Sequence, residues 1–313
     1  MQVPNHIVQS PEWAEFKNAY GTKTVKCGEI YYSVHKIPLS PYFVAYCPKV
    51  NPFLIDWEKL ADSLAGENCA SINFDVPNVI KDTPEAKNAE ELLTAHCIKS
   101  PKNTFAPHTI LMDLTKSEAD LLAAMHPKHR YNMKLAQRHG VQIERAKDAN
   151  GFEDFWQLLQ TTSISHKYYI HPKHYYQKIW EILSPKGLTH ILTATYQGEP
   201  LASWMLFSYQ NVLYYPYGGS AHKLQHLFPS NLLGWEAIKL GKELGCTTFD
   251  MWGATQQLDD RTNPWWGFTN FKLKFGGRLV TFIASYDLPV NEKVHKMFCL
   301  ANNLRWKMLK LIR

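Results

Sequence analysis

The stretch from residue 140 to 286 constrains the fold more than any other, because its apolar period changes several times in a fixed order. Residues 140–145 alternate as a strand. Residues 150–160 place Phe152, Phe155, Trp156 and Leu159 at helical spacing, and 172–183 read as a second helix. Three strands follow, at 190–196, 201–209 and 211–217, joined by Gly198-Glu199-Pro200 and Gln210-Asn211 turns. Residues 232–244 form a helix closed by Gly245, and 247–251 a short strand.

Strand, helix, helix, three meander strands, helix, strand, long loop and further strands is the element order of the N-acetyltransferase-like (GNAT) fold. The first 115 residues fit a looser version. Ser10 and Pro11 open a helix carrying Trp13 and Phe16 on one face, followed by strands at 22–34 and 42–47. A helix at 56–65, a strand at 70–76, a helix at 84–97 and a strand at 108–114 complete this part. The expectation is an α/β (α+β) chain of two GNAT-like units in tandem. Residues 1–139 with 284–313 make the first unit and 140–283 the second.

Two basic segments stand out. Residues 128–139, ended by Gly140, carry Lys128, Arg130, Lys134 and Arg138, and a basic amphipathic helix is expected from about residue 290 to 312. The net charge of +6 favours an anionic substrate, RNA or a negative membrane surface without choosing among them. Neither a signal peptide nor an 18-residue apolar run is present, and the six cysteines form no C-x-x-C pair or compact Cys/His array. The expectation is a cytoplasmic, reduced protein without a metal.

The candidate reaction centre is GFTNFKLKFGGR, residues 267–278, which follows Asn263-Pro264-Trp265-Trp266. Phe271, Leu273 and Phe275 alternate with Lys272 and Lys274. That period reads as a strand with both lysines on one face, ended by Gly276-Gly277. A half-buried strand with solvated lysines has the same pattern. Tyr215 and Tyr217, two apart on a strand before Gly218-Gly219, are expected to share a face, and His171 precedes a helix with the Tyr175-Tyr176 pair. Both groups suit a sugar or peptide, or simple packing. His222 and His226 are four apart, but Pro229 and the loop composition nearby argue against a metal. No G-x-S-x-G, H-E-x-x-H or P-loop occurs. Asp250 ends a strand and reads as structural. Ahead of the helix at 232, HKLQHLFPSNLLGW holds no glycine-rich pyrophosphate loop, which weighs against coenzyme A.

Four strings in order bring a resemblance: VQSPEWAEFK, HRYNMKLAQRHGVQIERA, YPYGGSAHKLQHLFPSNLLGWEAIKLGKELGCTTFDMWG and GFTNFKLKFGG. Together they resemble the FemABX family of non-ribosomal peptidyl transferases, in its compact form without a helical arm. The resemblance implies transfer of an amino acid from aminoacyl-tRNA to an amine of a peptidoglycan precursor stem peptide, by ester aminolysis and with no cofactor. Lys17, Tyr175, Tyr176, Tyr215 and Tyr217 match precursor-binding positions, and His171 stands where the family has an arginine. Phe271 and Lys272 match the pair implicated in transfer. A UDP-linked or lipid-linked acceptor, peripheral membrane association and a monomer are expected, with Lys128, Arg130, Lys134, Arg138 and Lys274 available to tRNA phosphates. An acyl-CoA-dependent N-acyltransferase and a non-catalytic peptide- or RNA-binding relative are the alternatives.

Overall fold

The structure, a computed structural model, describes residues 5–311, without the side chains of residue 303 and residues 305–311. The chain divides into two compact units, residues 1–107 with 282–313, and residues 108–281.

The first unit opens with α1 (Pro11–Ala19), where the Ser10 hydroxyl accepts the Trp13 N–H at 3.0 Å and Pro11 takes the first helical position. Next come β1 (Thr24–Cys27), β2 (Ile30–Lys36), β3 (Phe43–Pro48), α2 (Trp57–Gly66), β4 (Cys69–Asp75), α3 (Pro84–His96) and β5 (Ile98–Lys99). Asp56 caps α2 and Thr83 caps α3, each side chain accepting an amide of the first turn. Ile30, Tyr32, Leu60, Leu64, Ile72, Phe74, Ala89 and Leu93 are buried together as this unit's core.

The second unit runs through β6 (His108–Asp113), α4 (Glu118–Ala124), α5 (Pro127–Arg138), β7 (Gln142–Arg145), α6 (Ala149–His166) and α7 (Lys173–Leu183). It continues with β8 (Thr189–Tyr196), β9 (Glu199–Tyr209), β10 (Val212–Ser220), α8 (Pro229–Glu243), β11 (Thr248–Asp250), α9 (Trp266–Leu273) and β12 (Arg278–Thr281). Its seven strands are ordered β12-β6-β11-β10-β9-β8-β7, and only β10 and β11 pair in parallel. The chain then returns to the first unit with β13 (Tyr286–Pro289) and α10 (Glu292–Leu311), giving a six-stranded sheet ordered β1-β2-β3-β4-β13-β5.

Three expectations change. Residues 108–139 belong to the second unit, because β6 pairs with β11 and β12, and Met133 and Ala136 of α5 share a core with Leu233 and Ile238 of α8. The further strands expected after the long loop fall in two sheets, β12 against β6 and β13 against β4 and β5. Most consequential, 267–278 is not a strand. Residues 266–273 form α9, Gly276 follows at φ +93°, and only Arg278 resumes extended pairing. Phe268, Phe271 and Phe275 recur at three and four, the helical period, and that spacing prevails over the alternation of Phe271, Leu273 and Phe275. A Cβ on Gly276 would stand 2.8 Å from the Ala124 carbonyl oxygen, so the turn after α9 needs glycine for space as well as for φ.

Candidate active site

Helical geometry separates the two lysines of α9. Lys274 is half-buried at the C-cap, where its carbonyl accepts the His126 N–H at 2.9 Å. Lys272 points inward and is 8% exposed. Its Nζ donates to the Trp252 carbonyl at 2.8 Å and to the Gly253 carbonyl at 3.0 Å. These carbonyls turn toward it because the chain leaves β11 through left-handed backbone at Trp252, φ +54°. The Asp250 carboxylate secures that turn by accepting the Trp252 N–H at 2.7 Å, and it also accepts the Thr109 hydroxyl. Asp250 thus braces the turn that carries both carbonyls.

Two aromatic rings complete the surroundings of Nζ. Tyr215 lies 5.3 Å from it and Phe268, one turn earlier on α9, 5.0 Å. Burial disfavours the charged form and lowers the Lys272 pKa to about 7, while the Asp250 charge works in the opposite direction. Near neutrality this side chain can exist as ammonium or amine. As an ammonium it has three N–H donors, of which the two carbonyls take two.

Phe271, on the same helix, is half-buried against the His129 ring at 5.1 Å, the Phe275 ring at 5.2 Å and the Trp204 ring at 6.5 Å. His129 is buried, and burial lowers its pKa to about 4 with Lys274, His126 and Lys128 adding repulsion, so the imidazole is neutral at pH 7. It lies in an H-P-K-H string, residues 126–129, that recurs at 171–174 and carries no reading of its own. In that string His126 caps α5, its Nδ1 accepting the Lys128 N–H at 3.1 Å.

Tyr215 and Tyr217 do not share a face. The β9–β10 register shifts between Tyr214 and Tyr217, so β10 holds one extra residue there. Tyr215 stacks on Trp204 at 3.8 Å, whereas Tyr217 meets Phe207 at 6.1 Å. Trp204 and Phe207 are three apart on β9 and project to opposite sides. Gly218 and Gly219 serve packing. A Cβ on Gly218 would stand 2.8 Å from Trp204 Cδ1 and closer still to the Tyr215 hydroxyl, and one on Gly219 would overlap the Leu158 backbone of α6.

On the Tyr217 side the structure gathers four of the expected residues. The His171 ring stacks on Tyr175 at 3.8 Å, and the His171 N–H donates to the Tyr176 hydroxyl at 3.2 Å. Tyr176 contacts the Tyr217 ring edge-on at 5.0 Å. Burial pushes the Tyr176 and Tyr217 phenols well up, and Tyr215 likewise, so all three stay neutral and act only through hydrogen bonds and ring faces. Lys17, on α1 of the first unit, is half-buried, and burial lowers its pKa.

The expected phosphate-binding residues divide. Lys128, Lys134 and Arg138 are exposed on α5, but Arg130 is turned back on α4. Its Nη1 donates to the Leu122 and Ala123 carbonyls, each at 3.1 Å, and to the Met125 carbonyl. It closes the carbonyl end of that helix. The expected basic face of α10 falls largely on residues whose side chains lie outside the described ones, and residue 312 lies outside them altogether. A cavity of about 650 Å³ opens elsewhere on the second unit, lined by Glu144, Arg145, Asp148 and Asp154 among others, and it includes none of the expected site residues. No helix among the described residues is long and apolar enough to cross a membrane.

Residues 127–260 match the family described as "Acetyltransferase (GNAT) domain". The chain is 21% identical to the lipid II:glycine glycyltransferase of Staphylococcus epidermidis, over 93% of this chain and 89% of that one. The alignment spans 376 positions, more than this chain contains, so the relative holds segments that are lacking here. Among solved structures, one described as FemX superposes with a TM-score of 0.81 at 18% identity, covering 94% of each chain. L-PGS from Bacillus licheniformis superposes at 0.56 with 10% identity, over 97% of this chain and 98% of that one. These likenesses bear out the mixed α/β fold of GNAT-like units.

Proposed function

Because the chain belongs to the FemABX family, we propose that it is an aminoacyltransferase extending an amine of a peptidoglycan precursor. The observation that carries this reading is Lys272. It is a buried lysine brought near pH 7, held by two backbone carbonyls and two aromatic rings at the position the family pattern assigns to transfer. The donor is an aminoacyl-tRNA and the acceptor a stem-peptide amine on a lipid-linked precursor. The lipid linkage is supported by the activity for which the staphylococcal relatives are named. A histidine at 171, which cannot grip phosphate bidentately as arginine does, argues in the same direction.

The reaction is aminolysis of an ester. The acceptor amine attacks the aminoacyl carbonyl, negative charge gathers on the carbonyl oxygen, and the ribose oxygen leaves with a proton. Lys272 in its ammonium form has one N–H beyond those on Trp252 and Gly253 to meet that charge, from a site where burial strengthens the interaction. Phe271 and the neutral His129 offer an apolar wall against the terminal ribose or base. The exposed His171 ring and the half-buried Tyr217 meet the precursor, backed by the buried rings of Tyr175 and Tyr176.

A coenzyme A-dependent N-acyltransferase is the second reading, favoured by the GNAT domain match. The start of α8 opposes it. His222, Leu224 and Phe228 interrupt the approach in left-handed backbone, and Pro229 removes one of the free amides a pyrophosphate would need. Incubation with charged total tRNA and lipid-linked, nucleotide-linked and free stem peptides, read by mass spectrometry, separates the readings. The expected product is the lipid-linked precursor heavier by one aminoacyl residue. Product from acetyl-CoA alone, or none with any charged tRNA, would sink the proposal.

A further inference from the structure

We propose that Asp287, His295 and Cys299, in the first unit, bind a divalent metal ion of the zinc class. His295 and Cys299 lie one turn apart on α10, and Asp287 comes from β13. Each contributes one potential ligand atom, and these atoms all lie within 4.8 Å of one another. Cys299 Sγ is 3.6 Å from His295 Nε2 and 4.0 Å from its Nδ1, and Nε2 is 3.8 Å from Asp287 Oδ2.

The place of the carboxylate distinguishes this cluster from a nucleophile relay. In a relay the thiol uses one ring nitrogen and the carboxylate orients the other. Here Asp287 faces Nε2, the nitrogen nearer the thiol, and the sulfur lies against both ring nitrogens, so neither is left to the carboxylate alone. Tetrahedral bonds of about 2.0–2.3 Å place neighbouring ligand atoms roughly 3.3–3.7 Å apart. The sulfur–nitrogen separation of 3.6 Å falls there and the nitrogen–oxygen separation of 3.8 Å lies just outside, and coordination swings the sulfur from over the ring toward the Nε2 lone pair.

The surroundings are built for such a role. Asp287 and His295 are buried, while Cys299 keeps partial exposure, which leaves a side for a water as fourth ligand. Asn73 Nδ2 donates to Asp287 Oδ1 at 2.6 Å, fixing the carboxylate and leaving Oδ2 toward His295. An outer partner of this kind orients a metal-binding carboxylate. One thiolate, one imidazole and one carboxylate suit zinc or cobalt, not the all-oxygen shells of calcium or magnesium. Coordination breaks the Cys299 S–H bond, forms the metal–sulfur bond and releases the proton to solvent, with no change of oxidation state. The ion would pin α10 to β13, and through it to β4 and β5. The sequence alone shows His295 and Cys299 four apart, and the fold supplies the third ligand.

The test is cobalt(II) titration of the full chain, chelator-treated and kept reduced, followed by absorbance. One ion per chain with a thiolate-to-cobalt charge-transfer band, displaced by zinc, is the expected result. Cys299→Ser should abolish the band and His295→Ala the binding, while circular dichroism reports on folding. Asn73→Ala, which keeps all three ligands, should weaken binding about 10–100-fold with the band retained. No band in the wild type, or an undiminished band in Cys299→Ser, overturns the site. Neither readout involves transfer activity, so the test is independent of the proposed reaction.

Discussion

The Lys272 ammonium donates at 2.8 Å to the carbonyl of Trp252, a residue held in left-handed backbone by the Asp250 carboxylate. The contact ties α9 to the turn after β11, so one side chain both braces that turn and presents a charge. Lys272→Met removes the charge and keeps most of the apolar volume. Transfer of the aminoacyl group, measured at saturating precursor, should fall at least about tenfold, the equivalent of roughly 1.4 kcal/mol. Undiminished turnover would exclude Lys272 from the reaction.

The same burial sets a pH signature. The pKa of Lys272 is lowered from 10.5 in the unfolded chain to about 7 in the fold. Between these values the unfolded state binds more protons, so this group's contribution to stability rises with pH. The cost of burying the charge is fully present below about pH 7 and vanishes above about pH 10.5. Denaturant titration of wild type and Lys272→Met at about pH 6.5 and about pH 10 should show the wild type gaining on the variant by a few kcal/mol. A constant gap would mean the amine is not desolvated.

Gly218 and Gly219 separate two kinds of crowding. A methyl at 218 meets ring atoms of Tyr215 and Trp204, which can shift, whereas one at 219 meets the backbone of Leu158, which cannot. Gly219→Ala should therefore be the costlier, at about 3 kcal/mol against about 1 for Gly218→Ala, by thermal or denaturant unfolding. Equal losses would contradict the close approach of β10 to α6.

Arg130 and its neighbours on α5 should part in their response to salt. Removing Lys128, Lys134 and Arg138 together should flatten the dependence of tRNA binding on salt by about two to three phosphate contacts. Arg130→Ala should leave that slope unchanged and cost about 1–2 kcal/mol of stability, because the Leu122, Ala123 and Met125 carbonyls at the end of α4 each lose a donor. Filter binding across a salt series, beside thermal melts, reads both. A reduced slope for Arg130→Ala would mean that its guanidinium reaches RNA.

Most elements were legible in the sequence because their signals are local. Ser10 caps where it was expected to, and the meander β8–β10 follows from its turns. The misread stretch was the one with two periods. Phe271, Leu273 and Phe275 alternate, but Phe268, Phe271 and Phe275 also repeat helically, and packing against His129 and Trp204 decides between them. The site itself was half legible. Lys272 and the Tyr175-Tyr176 pair lie on stretches with recognisable patterns. Trp204, His129 and the carbonyls of Trp252 and Gly253 come from separate elements, and no spacing in the chain announces that they meet. The boundary between the units was lost for a related reason, since β6 is placed by pairing with strands that follow it by well over 100 residues.

The extra residue in β10 has a consequence for how this protein can change. By turning Tyr215 and Tyr217 to opposite sides, it lets neighbouring codons answer to different demands. Substitutions at 217 and its partners 175 and 176 can be tried by selection for a new acceptor while the stack of Tyr215 on Trp204, and the lysine beside it, are left undisturbed. A strand without that irregularity would make every such trial a wager on both at once.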